Sequence, residues 1–548
     1  MTAAVGPADA TGAGARGSDS ESDASGDSMR PGSVAGGGTM TAALFHRALA
    51  AIFLIAWLSL ASQILLLVGS RGLLPLADFL SAARADNALS FPAFPSVLAW
   101  APGDGTLLTG CLAGAALALL ALLGVRPRWC AALQTAWYLG YVTACRGFLG
   151  FQWDNLLLEC GLLAAFLPTR RPAPLAHLLF RAVLFKLYVE SGLAKWQSPL
   201  HDWQDGSAMT FYYQTAPLPT ALAWYAHHLP RWWHLFESRA TLVVELVVPF
   251  AIFGPRKARA VAAVLFTLFQ LINAATANYG FFCYLSVALH LFLLDDGQLR
   301  AALNGARVKV SPALSWVRSR LWSHIRWLTG WSHSFARRKT PRRAPEWKTA
   351  GVARSSMHRL GTVAAWGGGL AWVFVSLLEA WFHFGEPGPL AGPLLPVLEW
   401  SQTFRVVNAY HLFAAVTRDR IEPEFQLQAT ADGPWVAHHL RYKPGPPERA
   451  PAFVAPHQPR VDFLLWFYGV GFDQRQPAFV SALQARLCAD PTAVASLFVS
   501  PLPANPVAIR IAFWDYRFTS PAEKAASGAW WTSHQVGTTP IFDCGVEP

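Results

Sequence analysis

The chain has 548 residues, of which 53% are hydrophobic and only 14% charged, with a formal net charge of +11. A positive mean hydropathy over this length excludes an ordinary soluble enzyme. The charge does not mark a nucleic-acid binder either, because it concentrates in one stretch, 300–359, which holds fourteen Lys and Arg.

Residues 1–40 are rich in Gly, Ala, Ser and Asp and predict a disordered cytoplasmic tail. Apolar runs follow at 44–68, 106–124, 129–145, 155–168, 175–194, 239–254, 259–277, 280–294 and 362–384. Basic residues fill every second gap: Arg126 and Arg128, Arg170 and Arg171, Arg256, Lys257 and Arg259, then the block 300–359. That alternation predicts a polytopic α-helical membrane bundle of about nine spans, with a cytoplasmic N-terminus and a C-terminal region on the opposite face. Leu44–Val68 is long enough to cross the hydrocarbon; Leu156–Phe166 is short and needs neighbouring helices around it.

The bundle is read over 41–294, with an extracytoplasmic loop, 195–238, carrying Trp196, Trp203, Tyr212, Tyr213, Trp224, Tyr225, Trp232 and Trp233. These aromatics suit an interfacial lid, or else a ligand-facing surface. The connector 295–361 repeats Leu314, Val317, Leu321, Ile325 and Leu328 at helical spacing among Trp and Arg. It predicts an amphipathic helix lying on membrane lipids, or one packed under the bundle. A last span at 362–384 leads to a β-rich extracytoplasmic domain, 390–548. Strands are expected at Glu424–Gln428, Trp435–Tyr442 and Ala508–Phe518, and helices at Asp462–Val470, Pro477–Ala489 and Pro491–Phe498.

Cys111, Cys130, Cys145, Cys160 and Cys283 lie in or beside apolar runs and read as packing residues. Only Cys488 and Cys544 fall outside them, and the sequence leaves their pairing open. No CxxC or Cys/His zinc spacing occurs, so neither a metal nor another cofactor is expected.

Ionisable groups inside apolar runs are costly and mark a clasp or a site. Here they are Asp154, Glu159, Arg181, Lys186, Glu190 and Glu245. Lys186 and Glu190, four apart, share a helix face. Glu159 falls on the preceding antiparallel segment and is expected to meet Lys186 or Arg181.

At these positions the chain resembles a known family. Phe148-Leu149-Gly150-Phe151-Gln152-Trp153-Asp154 through Glu159, Arg181 with Gly192-x-x-Lys195, Pro217-Leu218-Pro219, His228-Leu229-Pro230 and Glu245-Leu246 follow the order found in lipase maturation factors. So do Asn408-x-Tyr410, Thr417-x-x-Arg420-x-Glu422, Asp432-Gly433-x-Trp435, Pro456-His457-Gln458-Pro459-Arg460-x-Asp462, Trp466-Phe467 and Tyr516-x-Phe518. The likeness covers roughly 140–294 and 400–520. Two departures stand out. The family's Y-H-Y-E-T-Q-P-L-P is here Phe211-Tyr212-Tyr213-Gln214-Thr215-Ala216-Pro217-Leu218-Pro219, and its Asp-Trp is Asp462-Phe463.

The resemblance implies a non-enzymatic membrane factor whose clients are secreted lipases. It implies an endoplasmic reticulum membrane with a lumenal C-terminal domain, or, in a bacterium, the inner membrane with that domain in the periplasm. Asn408, Arg420, Arg460, Asp462, Trp466 and Phe467 become the client-binding or structural motif, with Asn408 and Arg420 expected to satisfy Asp462. The bundle is also distantly similar to the vitamin K-dependent carboxylase superfamily. On that alternative the protein is a membrane enzyme, with Lys195 as a partly desolvated base; the plainer reading of Lys195 is an interfacial lysine.

Overall fold

Ala, Leu and Ile fill Thr39–Ala61 with no proline and no charge after Arg47, and the segment forms one 23-residue helix, α1. The computed structural model describes residues 38–87, 89–305, 349–386, 388–471 and 475–545. The tail 1–37 and the connector helix expected around 314–331 lie outside them.

After α1 come α2 (Asp104–Leu122), α3 (Pro127–Ala144), α4 (Gln152–Ala165), α5 (Pro174–Trp196), α6 (Arg231–Leu246), α7 (Arg256–Thr276), α8 (Phe282–His290), α9 (Thr349–Phe384) and α10 (Leu395–Phe404). Pro127 and Pro174 open α3 and α5, where a missing N–H costs nothing. Small residues let α1 and α2 approach closely: a Cβ on Gly114 would collide with the Trp57 indole.

Four helices among the described residues are long and apolar enough to cross a membrane: Thr39–Ala61, Asp104–Leu122, Arg256–Thr276 and Val363–Phe384. The nine apolar runs of the sequence thus resolve into these four and a set of shorter or more polar helices packed with them. The reason is burial. The 14-residue α4 is enclosed by its neighbours along nearly its whole length, and α5 can carry Lys186, Glu190 and Lys195 because all three are buried against other segments.

The C-terminal region forms a five-stranded antiparallel sheet. Its strands are β1 (Ile421–Gln428), β2 (Val436–His438), β3 (Ala508–Phe518), β4 (Trp531–Thr538) and β5 (Phe542–Asp543), in the order β2-β1-β3-β4, with β5 also on β3. Phe425 lies opposite both His438 and Ile511, and β3 shifts register against β4 between Phe513 and Trp514. Helices α11 (Arg460–Val470) and α12 (Ala478–Ala489) pack on the sheet. The α11 backbone touches the Ile421 carbonyl at Gly469, where any Cβ would clash. Cys488 and Cys544 form a disulfide that ties the end of α12 to the segment after β5.

One apolar core runs without a break from Phe45 in α1 to Trp531 in β4. The two ends of α1 meet different partners. At its start, the Thr41 N–H donates to Asp296 (3.2 Å) and His46 bonds the Leu167 carbonyl (2.8 Å). At its far end, Ser59 bonds His457 (2.9 Å) and Gln63 donates to the Gln458 carbonyl (2.8 Å). The sheet domain therefore sits on the end of the bundle opposite Thr41 and Asp296.

Candidate functional site: the junction of bundle and sheet domain

Asp154 lies in the first turn of α4, where a carboxylate is favoured by the free N–H groups. It accepts the Phe151 and Gly150 N–H groups, both at 3.2 Å, and the Tyr138 hydroxyl at 2.8 Å. Gly150 enters this turn at φ +94°, a conformation that suits glycine. Both Asp154 oxygens also take the Arg460 guanidinium, at 2.6 and 2.7 Å. This bidentate pair is buried on both sides. Burial alone would lower the Arg460 pKa, but the Asp154 carboxylate outweighs it and raises it. Around the pair, Phe463 packs edge-on against Trp153 (4.9 Å) and Phe151 (5.1 Å), and half-exposed Phe467 stacks on Phe151 (6.4 Å). Two segments that the sequence singled out separately, 148–154 and 456–467, thus form one joint.

A second joint lies deeper. The segment after α10 drops into the bundle, and Tyr410 Oη (2.6 Å) and Asn408 Nδ2 (3.2 Å) donate to Glu159. The Tyr410 N–H donates to Glu190 (2.9 Å). Lys186 bonds Glu379 of α9 at 2.8 Å, donates to the Asn408 carbonyl, and lies 4.0 Å from Glu190. Tyr410 and Asn408, rather than the expected Lys186 or Arg181, therefore supply the donors to Glu159. Arg181 is elsewhere, donating to the Phe292 carbonyl at 2.8 Å.

A third contact holds the loop that departs from the family pattern. Arg420 donates to the carbonyls of Gln214 (2.9 Å), Ala216 and Pro217 (3.2 Å), and pairs with Glu422 at 2.6 Å. Glu422 also takes Lys443 at 2.8 Å. The Trp466 indole donates to the Thr215 carbonyl (2.8 Å), and the Gln214 side chain accepts the Phe518 N–H (3.0 Å). Here too an expectation changes: neither Asn408 nor Arg420 reaches Asp462, whose carboxylate accepts the Tyr442 N–H at 3.2 Å. The reason is distance along the fold, since each is committed to the bundle side of the joint. Lys195 pairs with Glu245 (2.8 Å) and donates to the Leu412 carbonyl (2.8 Å).

The structure brings Asp154, Glu159, Lys186, Glu190, Asn408, Arg420, Arg460, Trp466 and Phe467 to the junction. It leaves Arg181 and Asp462 outside. Two participants escaped the sequence reading. Glu379 is the only Asp, Glu, Lys or Arg between 362 and 384, which is signal enough. The role of Tyr410 shows only through its partner. Chemically the cluster holds charges in pairs and closes hydrogen bonds. The Lys195 amine is engaged by Glu245 and by the Leu412 carbonyl. Among the described residues no group of three His, Cys, Asp or Glu gathers to hold a metal.

A helical bundle with membrane-length helices, clasped at one end by a strand-containing C-terminal domain, defines a membrane protein of two interlocked parts. The lipase maturation factor transmembrane domain matches residues 40–301, and the lipase maturation factor C-terminal domain matches 406–540. The chain belongs to the lipase maturation factor family. It is 31% identical to lipase maturation factor 2 of Gallus gallus, over 90% of this chain and 80% of that protein. It is 30% identical to lipase maturation factor 2 of Homo sapiens (90% and 81%), and 27% identical to human lipase maturation factor 1 (91% and 87%). No solved structure matches it. These matches carry nothing of the carboxylase alternative.

Proposed function

We propose that this chain is a membrane-resident maturation factor for secreted lipases, acting without catalysis as a platform on which the client folds. The observation that carries the reading is its family membership over nearly its whole length, joined to a sheet domain fixed on one end of the bundle. The relatives' names supply the client class. The motif residues Asn408, Arg420, Arg460, Trp466 and Phe467 serve the platform by locking it to the bundle, and Asp462 by bracing the sheet domain. Contact with the client falls to β4, the longer free edge of the sheet among the described residues, where Thr532–Val536 is exposed on both faces. Such an edge can pair transiently with an extended segment of a folding partner.

The proposed topology puts Thr39, Asp296 and the basic stretch 300–359 in the cytoplasm and the sheet domain on the secretory side. The opposed ends of α1 support it, as does the Cys488–Cys544 disulfide, which suits an oxidising compartment. That compartment is the endoplasmic reticulum lumen, or the periplasm in a bacterium.

The test is co-expression with a secreted lipase in cells lacking their own maturation factor. The chain is expected to raise lipase activity per molecule secreted. Unchanged specific activity would overturn the proposal.

A further inference from the structure

A cavity of about 370 Å³ lies between α5, α6, α7, α8 and the short helix Ala208–Thr215. That volume is in the range of small-molecule sites. Its wall is mostly aliphatic and aromatic. Phe236, Leu268 and Ile272, which help form it, are exposed on the outside of α6 and α7. Because α7 is one of the four membrane-length helices, this side of the cavity faces hydrocarbon rather than water.

Most of its polar groups are engaged with one another, but a few have bonding capacity to spare. Gln270, buried in the wall, donates its amide N–H to the Tyr188 hydroxyl at 3.1 Å. Tyr188 in turn bonds His290 Nε2 at 3.1 Å, and His290 is held by Thr267 at 2.9 Å. Among the described residues, Gln270 Oε1 has no hydrogen-bond partner. An orphan carbonyl in an apolar wall is costly unless something binds it. Elsewhere in the wall, the Tyr212 and Tyr279 hydroxyls bond each other. One of the two donates, which leaves the other's proton without an acceptor among the described residues. The cavity thus offers the Gln270 acceptor and two donors, one tyrosine hydroxyl and the Trp153 indole N–H, which also has no partner among the described residues.

Charge decides the ligand class. Lys195 reaches this wall already neutralised by Glu245, with a further N–H on Leu412. Glu237, another wall residue, already accepts from Tyr213 (2.9 Å) and Trp233 (2.6 Å). Among the described residues, no unpaired cation in this wall awaits a carboxylate or phosphate.

We infer that the cavity binds a neutral long-chain lipid through a free hydroxyl, which donates to Gln270 Oε1 while its apolar body runs out past Leu268 and Ile272. A monoacylglycerol and a sterol or isoprenoid alcohol share this chemistry. The inference does not depend on the lipase reading.

The full-length protein in nanodiscs is irradiated with alkyne-diazirine probes of three kinds: a monoacylglycerol, a sterol and a fatty acid. Labelled peptides are then mapped. Labelling of α5 or α7 by the monoacylglycerol identifies a glyceride source, labelling by the sterol a sterol-type source, and either supports the site. Gln270→Leu removes the acceptor and is expected to cut labelling about tenfold, the worth of one hydrogen bond without competition from water. Ala240→Phe, which narrows the cavity from α6, is expected to abolish it; both variants are first checked for an unchanged melting temperature. If Gln270→Leu fails that check, Ala240→Phe alone decides. Equal labelling by the anionic fatty acid would overturn the neutral ligand. Absence of labelling in α5 and α7, or labelling that a folded variant leaves unchanged, would overturn the site.

Discussion

Asp154 and Arg460 stand 306 positions apart in the chain, yet both guanidinium nitrogens face both carboxylate oxygens, at 2.6 and 2.7 Å. The pair joins the first turn of α4 to the first turn of α11. Neither end has water to fall back on.

Removing one partner is therefore expected to cost far more than removing both. Arg460→Met leaves a buried carboxylate unpaired, with an expected loss of about 3–5 kcal/mol. Asp154→Asn combined with Arg460→Met is expected to recover part of that loss. Thermal unfolding of the purified full chain, and its accumulation in membranes, check the order. A double variant as damaged as the single one would disprove the coupling.

The deeper joint ranks its members. Lys186→Met strips the cation from among Glu159, Glu190 and Glu379 and is expected to destabilise by several kcal/mol, on the order of the previous case. Tyr410→Phe removes one donor to Glu159, for about 1–3 kcal/mol. Melting temperatures that place Tyr410→Phe below Lys186→Met would contradict this arrangement.

Asp462 gives the sheet domain a pH dependence of unusual sign. Burial raises its pKa to about 6, against the opposing pull of the Tyr442 N–H and of Lys443. An unfolded aspartate titrates near ~3.9. The folded state thus binds the proton more tightly. Its contribution is complete below the unfolded value and is lost as pH rises through about 6, on the order of 3 kcal/mol in all. Asp462→Asn keeps an acceptor for Tyr442 and is expected to flatten this part of the stability profile between pH 4 and 7. Parallel profiles for the two proteins would rule the effect out.

The disulfide is expected to matter to the sheet domain alone. Cys488 and Cys544 close a loop with a sequence separation of 56, and losing such a link costs about 2–4 kcal/mol. Cys488→Ser is expected to lower the protease resistance of the C-terminal region while leaving fragments of the bundle protected. Equal protection of both regions in the variant would count against it.

Topology has a direct readout. Reporter fusions after residues 300 and 540 are expected on opposite faces of the membrane. The same face for both removes the proposed orientation.

Much of this was legible in sequence because local pattern determines local structure. The uncharged run of α1 and the Pro–helix signature of α12 each carry their own instruction. The residues of the junction were also legible as motifs, since a charge in an apolar run needs a reason. Their partners were not. Whether Glu159 meets Lys186 or Tyr410 depends on where α10 delivers the chain, and no spacing rule contains that. Strand β4 escaped for a different reason: Thr532-Ser533-His534-Gln535 is polar on both faces, so it lacks the alternation that betrays a half-buried strand. Beyond the four membrane-length helices among the described residues, the shorter runs are shielded by neighbours and need not be apolar on every side.

The order of synthesis gives the two joints a temporal meaning. Asp154, Glu159 and Glu190 leave the ribosome first, and their partners Arg460 and Tyr410 follow 306, 251 and 220 residues later. Until then the bundle holds acids that nothing downstream has yet satisfied. A chain stopped before Tyr410 leaves Glu159 without its Tyr410 and Asn408 donors, Glu190 without the Tyr410 N–H, and Asp154 without its Arg460 partner. Arrival of the C-terminal region therefore completes the hydrogen bonding of acids laid down in the first half of the chain, so the bundle is finished last by residues made last.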